Sequence, residues 1–390
     1  MSHEPLYLVP ILIEQPTWGG QYISQFKNLE SSELTKNNIG QSYELAQESL
    51  VYSGDFSRCY QYAKTSNLAD LINIDVPQQA VPLKTVAPQA AAILIKFTQA
   101  QENSYQVHVK PADASDPAHP LASWQPKPES WYFFEEGCAT LGLKNPTNLA
   151  PYKQRCEEIN AFAQNLSTKV SAQELTVAQA REKLAKFIDT DHPRNYVHTV
   201  RIPKNHVVEL SQGGVHHSWE AHPDLPLGNI VYEVQKDVKD DVSTLRSFDQ
   251  GKMKDDGSIR PLTINEYFTA LDVTVDNNTP ANLMNSTETG SDERSLFDTP
   301  YYKLEQLDFA GGSAAEPDTK QLAVSQYSHV FTKEGEVTIT HPDFADKNWI
   351  LPQGWSVLLA PNPKPYLISA SVPASQVNDT NHKTSVLITK

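Results

Sequence analysis

Cysteine is scarce in this 390-residue chain: three residues, Cys59, Cys138 and Cys156, at unrelated spacings. An odd count with no repeating interval excludes a disulfide framework and a Cys-based zinc site, and it points to a reducing, cytoplasmic home. Basic residues are few as well. The 32 Lys and Arg stand against 47 Asp and Glu, a formal net charge of −15 at pH 7, and no basic block interrupts the chain. Such a balance repels polyphosphate backbones and anionic headgroups, so neither nucleic acid nor a membrane is expected as a partner. A small anionic metabolite stays open, since it needs only a local group of cations. Long hydrophobic runs are missing too. Nothing nears the roughly 20 apolar residues of a membrane span, and the opening MSHEPLYLVPILIEQPTW lacks the basic flank and long apolar core of a signal peptide.

What is present is a 39% hydrophobic fraction with 9% aromatics, enough for buried cores, over a length that predicts two or three domains. With 27 prolines, 16 glycines and many short apolar runs, the chain reads as strands separated by turns. Strands are expected at 92–97, 105–109, 130–134, 207–210, 230–235, 336–340 and 356–360, which are rich in β-branched or aromatic residues. One stretch departs from this pattern. Ile159, Phe162, Ala163 and Leu166, then Val177, Ala180, Leu184 and Ile188, recur at helical spacing, so 151–193 reads as a helical insertion. Ser171 with Glu174 forms a capping-box pattern ahead of the second run. Shorter helical pieces are expected near 21–26 and 67–72. A polar, turn-rich segment at 276–298 reads as a linker or long loop, followed by a C-terminal β-rich domain at 299–390 that opens on TPYYKLEQLDF. The first β domain then comprises 1–150 and 194–275.

The residues suited to chemistry lie on the expected strands. Gln106 and His108 leave the same face of one strand about 6.6 Å apart, a spacing at which two ligand-type groups can share a metal or simply form a polar face. Glu129 leads into the aromatic run Ser130, Trp131, Tyr132. His216 and His217 follow Gly213 and Gly214, and adjacent residues of a strand face opposite ways, so at most one of the two joins a shared site. An amide oxygen, a carboxylate and imidazoles make a mixed N/O set suited to zinc.

At these positions the sequence resembles the type I mannose-6-phosphate isomerases (phosphomannose isomerases) of the cupin superfamily. The similar stretches come in order. Pro10 and Trp18, Gly19, Gly20 are followed by Gly40, Gln41, Ser42, Tyr43, Glu44, Leu45, and then by Leu94, Ile95, Lys96, Phe97 with Gln106, Val107, His108. Lys127, Pro128, Glu129 and Trp131, Tyr132 resemble the Gly-Lys-x-Glu-x-Trp-Tyr motif. Gly213, Gly214, Val215, His216 resemble Pro-x-Gly-Thr-Val-His. Glu233, Val234, Gln235 with Arg246 and Asp249, and finally Arg260, Pro261, Leu262, complete the series, which spans about the first 275 residues.

The resemblance implies a mainly β fold of double cupin (jelly-roll) barrels with a small α-helical insertion. It implies a zinc-dependent aldose–ketose isomerase of carbohydrate metabolism that interconverts mannose 6-phosphate and fructose 6-phosphate through a metal-stabilised cis-enediol. Carried over residue by residue, the zinc ligands fall on Gln106, His108, Glu129 and His216, one Zn2+ per chain, with His217 a structural neighbour. The catalytic residues fall on Arg246, Lys127 and Lys96, and the substrate-binding set adds Glu233. Taken singly, Lys96 also suits a strand edge, Lys127 a solvated loop, and Arg246 a surface partner of Asp240, Asp241 or Asp249. The proton-transfer base stays open among water, a lysine, Glu233 and Glu44. The expected partner is a sugar phosphate, and the chain is expected to be a monomer or small homo-oligomer.

The sequence also departs from the family pattern. Val109 stands where Pro follows the motif histidine, Pro126 replaces the glycine before Lys127, and Thr263 replaces the final histidine of Arg-x-Leu-His. The family's Asp four residues before its arginine is Val242 here, and the nearest match is Asp241, five before Arg246. These changes carry the alternative of a diverged, non-catalytic sugar-phosphate-binding cupin.

Overall fold

Strands form where the sequence supplies short apolar runs, and many are buried along nearly their whole length. Ile93–Ala100 (ILIKFTQA), Gly137–Leu143 (GCATLGL) and Asn229–Lys236 (NIVYEVQK) are of this kind. The computed structural model describes residues 4–15, 18–29, 38–64, 80–210, 214–219, 221–287, 291–310, 316–370 and 383–390. It is mainly β, with antiparallel pairing throughout the sheets. The seven expected strands are all present within a few residues of their expected bounds, Glu336–Thr340 without any shift. The helix near 21–26 is Tyr22–Phe26, and the one expected near 67–72 lies outside the described residues. Cys59, Cys138 and Cys156 are buried and free. Among the described residues, no helix is long and apolar enough to cross a membrane.

The chain forms two units, and neither is one consecutive stretch. Unit 1 is Met1–Gln99, Val231–Asp237 and Ser286–Lys390; unit 2 is Ala100–Ile230 and Val238–Asn285. The expected division, with 1–150 and 194–275 in one domain and 299–390 in another, therefore gives way to an interleaved one. Backbone pairing is the cause. The N-terminal strand Leu6–Val9 inserts between Leu50–Tyr52 and Ser356–Leu359, with Tyr7 opposite both Tyr52 and Val357. That sheet has eight strands and runs on through Ser328–Glu334, Thr384–Thr389, Lys303–Phe309 and Glu293–Asp298. A second, four-stranded sheet in unit 1 joins Asp318–Val324, Asn362–Ala370, Glu336–Thr340 and Trp349–Pro352.

Unit 2 contains the five-stranded sheet in the order Val197–Ile202, Gly137–Leu143, His216–Trp219, Tyr105–Val107, Leu245–Phe248. One face is covered by the helices Ala150–Ser171 and Val177–Thr190, which fill the expected insertion. Tyr152, Cys156, Ile159, Ala163 and Leu166 of the first helix, and Ala180, Leu184 and Ile188 of the second, belong to one core with Tyr105, Val107, Val197 and Leu245 of the sheet. The capping box lies elsewhere than expected. Thr176 Oγ1 accepts from Gln179 N at 3.2 Å, and Gln179 Oε1 accepts from Thr176 N at 3.0 Å. Ser171 is instead the last residue of the first helix and donates back to Ser167 O.

The expected linker is structured in most of its length. Asp276–Asn278 and Pro280–Leu283 form helical turns, and Met284–Ser286 and Glu293–Asp298 are strands. Asn278 is buried: its Oδ1 accepts from Leu143 N at 2.7 Å, and its Nδ2 donates to Asp272 O and Thr274 O. Gly142 sits beside it at φ +80°, where a Cβ would come within 2.8 Å of Asn278 Cα.

Candidate metal centre

Strand alternation divides the five-stranded sheet by chemistry. Tyr105 and Val107 face the helical core, so Gln106 and His108 leave by the other side. In register, Gln106 lies opposite His216 on one flank and Arg246 on the other, and directly opposed residues share a face. Glu129 enters as the first residue of the strand Glu129–Phe133.

Three of the expected ligands meet. The donor atoms of His108, Glu129 and His216 all lie within 4.8 Å of one another, and all three residues are buried. Both rings are anchored through Nδ1, His108 on Ser243 O at 2.7 Å and His216 on Gly214 O at 3.0 Å. A ring that donates from Nδ1 to a carbonyl carries its lone pair on Nε2, the form a metal takes. Burial lowers the pKa of both rings, that of His216 to about 4, and the Lys127 charge adds to the effect on both. Both imidazoles are thus neutral at pH 7. His108 Nε2 is buried without a hydrogen-bond partner; Glu129 Oε2 is 3.4 Å away but outside hydrogen-bond geometry. Burial alone would raise the Glu129 carboxyl. Its neighbours, Lys127 first among them, hold the group well below the usual carboxylate range. A buried anion, two neutral imidazoles and an orphaned ring nitrogen form a donor set that fits zinc.

Gln106 is half-buried and donates from Nε2 to Ser104 Oγ at 3.0 Å, which leaves the amide oxygen as its ligand-type end. His217 lies in the same strand as His216, its backbone in register with Thr140.

The expected cations are each paired with a carboxylate. Lys127 is buried, 3.2 Å from Glu129 Oε2 and 3.5 Å from Asp240 Oδ1, so it is no solvated loop residue. Arg246 Nη2 donates to Asp240 Oδ2 at 3.2 Å and Nη1 to Thr244 O at 3.3 Å, while Nε is buried without a hydrogen-bond partner. Of the three aspartates open as its partner, Asp240 meets the arginine, from the first residue of the helical turn Asp240–Ser243. Thr263 accepts from Arg246 N at 2.8 Å through Oγ1, so it fixes the backbone of the arginine strand.

Lys96 and Glu233 belong to unit 1. Lys96 Nζ is 3.0 Å from Glu233 Oε1 and 3.2 Å from Gln235 Oε1, a buried pair that rules out the solvated strand-edge reading. Glu44, one of the candidate bases, is also buried in unit 1. It is held by Lys27 Nζ at 2.7 Å and Ser42 Oγ at 2.6 Å, so a structural ion pair already occupies it.

Neither a family model nor a curated protein sequence matches the chain. Solved structures do. The mannose 6-phosphate isomerase of Bacillus subtilis superposes over 99% of both chains with a TM-score of 0.59 at 15% identity. That of Salmonella typhimurium, bound to substrate and a zinc atom, covers 98% of each chain with a TM-score of 0.60 at 11% identity. The fold is that of the mannose-6-phosphate isomerases. Within a mannose-6-phosphate isomerase fold, the two-helix insertion and the mainly β architecture follow the sequence reading. The departures concern the assignment of strands to units, the place of the capping box and the structured segment expected as a linker.

Proposed function

We propose that the protein is a zinc-dependent isomerase of mannose 6-phosphate and fructose 6-phosphate, working in the cytoplasm, with His108, Glu129, His216 and Gln106 as the zinc ligands. The observation that supports this most is the buried cluster of two neutral imidazoles and one ionised carboxylate, with His108 Nε2 unpartnered. Zinc bound there would act as a Lewis acid on the sugar's carbonyl or hydroxyl oxygen, making the adjacent carbon acidic without redox chemistry.

The remaining work falls to side chains. Aldose–ketose interconversion moves a proton between C2 and C1, and negative charge develops on oxygen along the way. Lys127 and Arg246 supply positive charge at the metal ligands' side of unit 2, and Asp240 holds both. Arg246 stays charged at any working pH, so its contribution is electrostatic. Lys127 has a transferable proton as well as a charge, so it can protonate the oxygen on which negative charge develops. The roles of Lys96 and Glu233 rest on the sequence resemblance.

The test is an assay for fructose 6-phosphate formed from mannose 6-phosphate, on zinc-replete protein and after chelation. Turnover that chelation abolishes and zinc restores is the expected result. Protein that binds zinc and is stabilised by fructose 6-phosphate, yet converts neither sugar, is a binding protein and overturns the isomerase reading.

A further inference from the structure

We propose that Trp131 is a positioning residue of the metal centre: its indole N–H holds one oxygen of Glu129, so that the carboxylate turns a single oxygen to the histidines. The inference rests on the zinc reading above and concerns a side chain to which that reading gives no part.

A carboxylate at the end of a glutamate is a soft rotor, since the last torsion of the side chain has only broad, roughly two-fold minima. A site that needs Glu129 as a ligand must therefore fix the rotation by contacts. Trp131 stands two residues along the same strand and leaves by the same face. It is 2% exposed, and a buried indole N–H calls for an acceptor. It donates to Glu129 Oε1 at 2.7 Å, within the range of charge-assisted hydrogen bonds. The other oxygen, Oε2, is the one that lies 3.2 Å from Lys127 Nζ and 3.4 Å from His108 Nε2. The two oxygens thus have separate tasks. Trp131 also meets His216 edge-on, with ring centroids 5.9 Å apart and planes at 71°. One side chain therefore orients one ligand and packs against another, and Glu129 presents one oxygen rather than a chelating pair. That leaves more of a zinc ion's coordination for substrate and water.

The variant that isolates the hydrogen bond is Trp131→Phe, which keeps an aromatic edge for His216 and removes the donor. Zinc affinity is measured by competition with a chromogenic chelator, and the geometry by the visible absorption of the cobalt(II)-loaded protein. Expected is a 10- to 100-fold weaker zinc affinity, the usual cost of losing a partner of a metal ligand, with a changed cobalt spectrum. A purely structural indole would lower the melting temperature of the metal-free protein and leave the cobalt spectrum alone. Affinity within about threefold of wild type together with an unchanged spectrum overturns the proposal. Wild-type protein that takes up no zinc overturns the proposed function and this inference with it, whereas wild-type uptake with an indifferent variant overturns the inference alone. Should Trp131→Phe fail to fold, the indole 1H–15N resonance of the wild type decides. A downfield, slowly exchanging signal that Glu129→Ala, which removes the acceptor, abolishes supports the bond, and a signal insensitive to that substitution overturns it.

Discussion

Asp240 serves two cations with one carboxylate. Its Oδ2 accepts from Arg246 at 3.2 Å, its Oδ1 lies 3.5 Å from Lys127, and Thr244 Oγ1 donates to Oδ1 at 3.2 Å. The side chain is 62% exposed, so water screens these contacts and they are worth less than buried ones. Asp240→Asn keeps the shape and removes the charge. It is expected to lower kcat/KM about fivefold, or roughly 1 kcal/mol, once the strength of a charged hydrogen bond is discounted for exposure. Asp241→Asn is expected to stay within about twofold, as usual for an exposed surface substitution. Steady-state kinetics on both variants checks the assignment, and an equal loss from Asp241→Asn would return the role to that residue. By motif offset Asp241 was the nearest stand-in for the family's aspartate, while Asp240, Asp241 and Asp249 all stayed open as ion-pair partners of Arg246. The helical turn Asp240–Ser243 brings Asp240 against Thr244, and its carboxylate reaches Arg246 on the strand that follows. His108, Glu129 and His216 were legible through the ordered motifs; alternation by itself marked Gln106 with His108 and left His216 and His217 open. Trp131 stood in the same motif as Glu129 without a role, because its hydrogen bond to Glu129 shows only in the structure. The Nδ1 anchors on Ser243 O and Gly214 O were not legible, since a backbone carbonyl has no sequence signature.

The two-helix insertion shows what element-scale patterns carry and what they omit. Apolar residues three and four apart marked both helices, and those residues are the ones that cover the sheet. The join between the helices escaped that pattern. Arg155, 6% exposed on the first helix, reaches the end of the second, where carbonyls have no intrahelical partner. Its guanidinium donates to Phe187 O, Ile188 O, Asp191 O and Thr190 Oγ1 and stacks over the Phe187 ring at 4.5 Å. A charged residue in an apolar helical stripe reads as surface in the sequence, whereas here it caps a neighbour. Arg155→Met is expected to destabilise unit 2 by about 2–4 kcal/mol, because one buried and two part-buried carbonyls lose their donor at once. Arg155→Lys should recover little of it, since one ammonium cannot reproduce the planar fork. Urea unfolding of the two variants tests this, and full recovery by lysine would reduce the role to charge alone.

At the scale of the molecule, the net charge of −15 describes the surface, while the interior is decided by local pairs. Lys127 lies against Glu129, Lys96 against Glu233 and Lys27 against Glu44, each a buried cation beside a buried carboxylate. Interleaving of the units was hidden from local patterns because the strand partners Leu6–Val9 and Ser356–Leu359 are some 350 residues apart, and pairing leaves no trace in either segment alone. The same sheet holds His329, whose Nδ1 is 3.3 Å from Tyr232 Oη and whose Nε2 is buried without a hydrogen-bond partner. Burial, with the Lys27 charge adding to it, lowers its pKa to about 3. In the unfolded chain the ring titrates near 6.5. Below that pH the unfolded state binds a proton that the folded state refuses, so stability is constant above pH 6.5 and falls as pH drops toward 3. From pH 6.5 to pH 4.5 the loss from this one group is about 2 kcal/mol. His329→Gln, which keeps a polar group opposite Tyr232 but cannot titrate, should remove that part of the pH dependence. Urea unfolding at the two pH values, with a chelator present so that metal binding does not contribute, measures it. An unchanged slope in His329→Gln would assign the acid sensitivity to other groups.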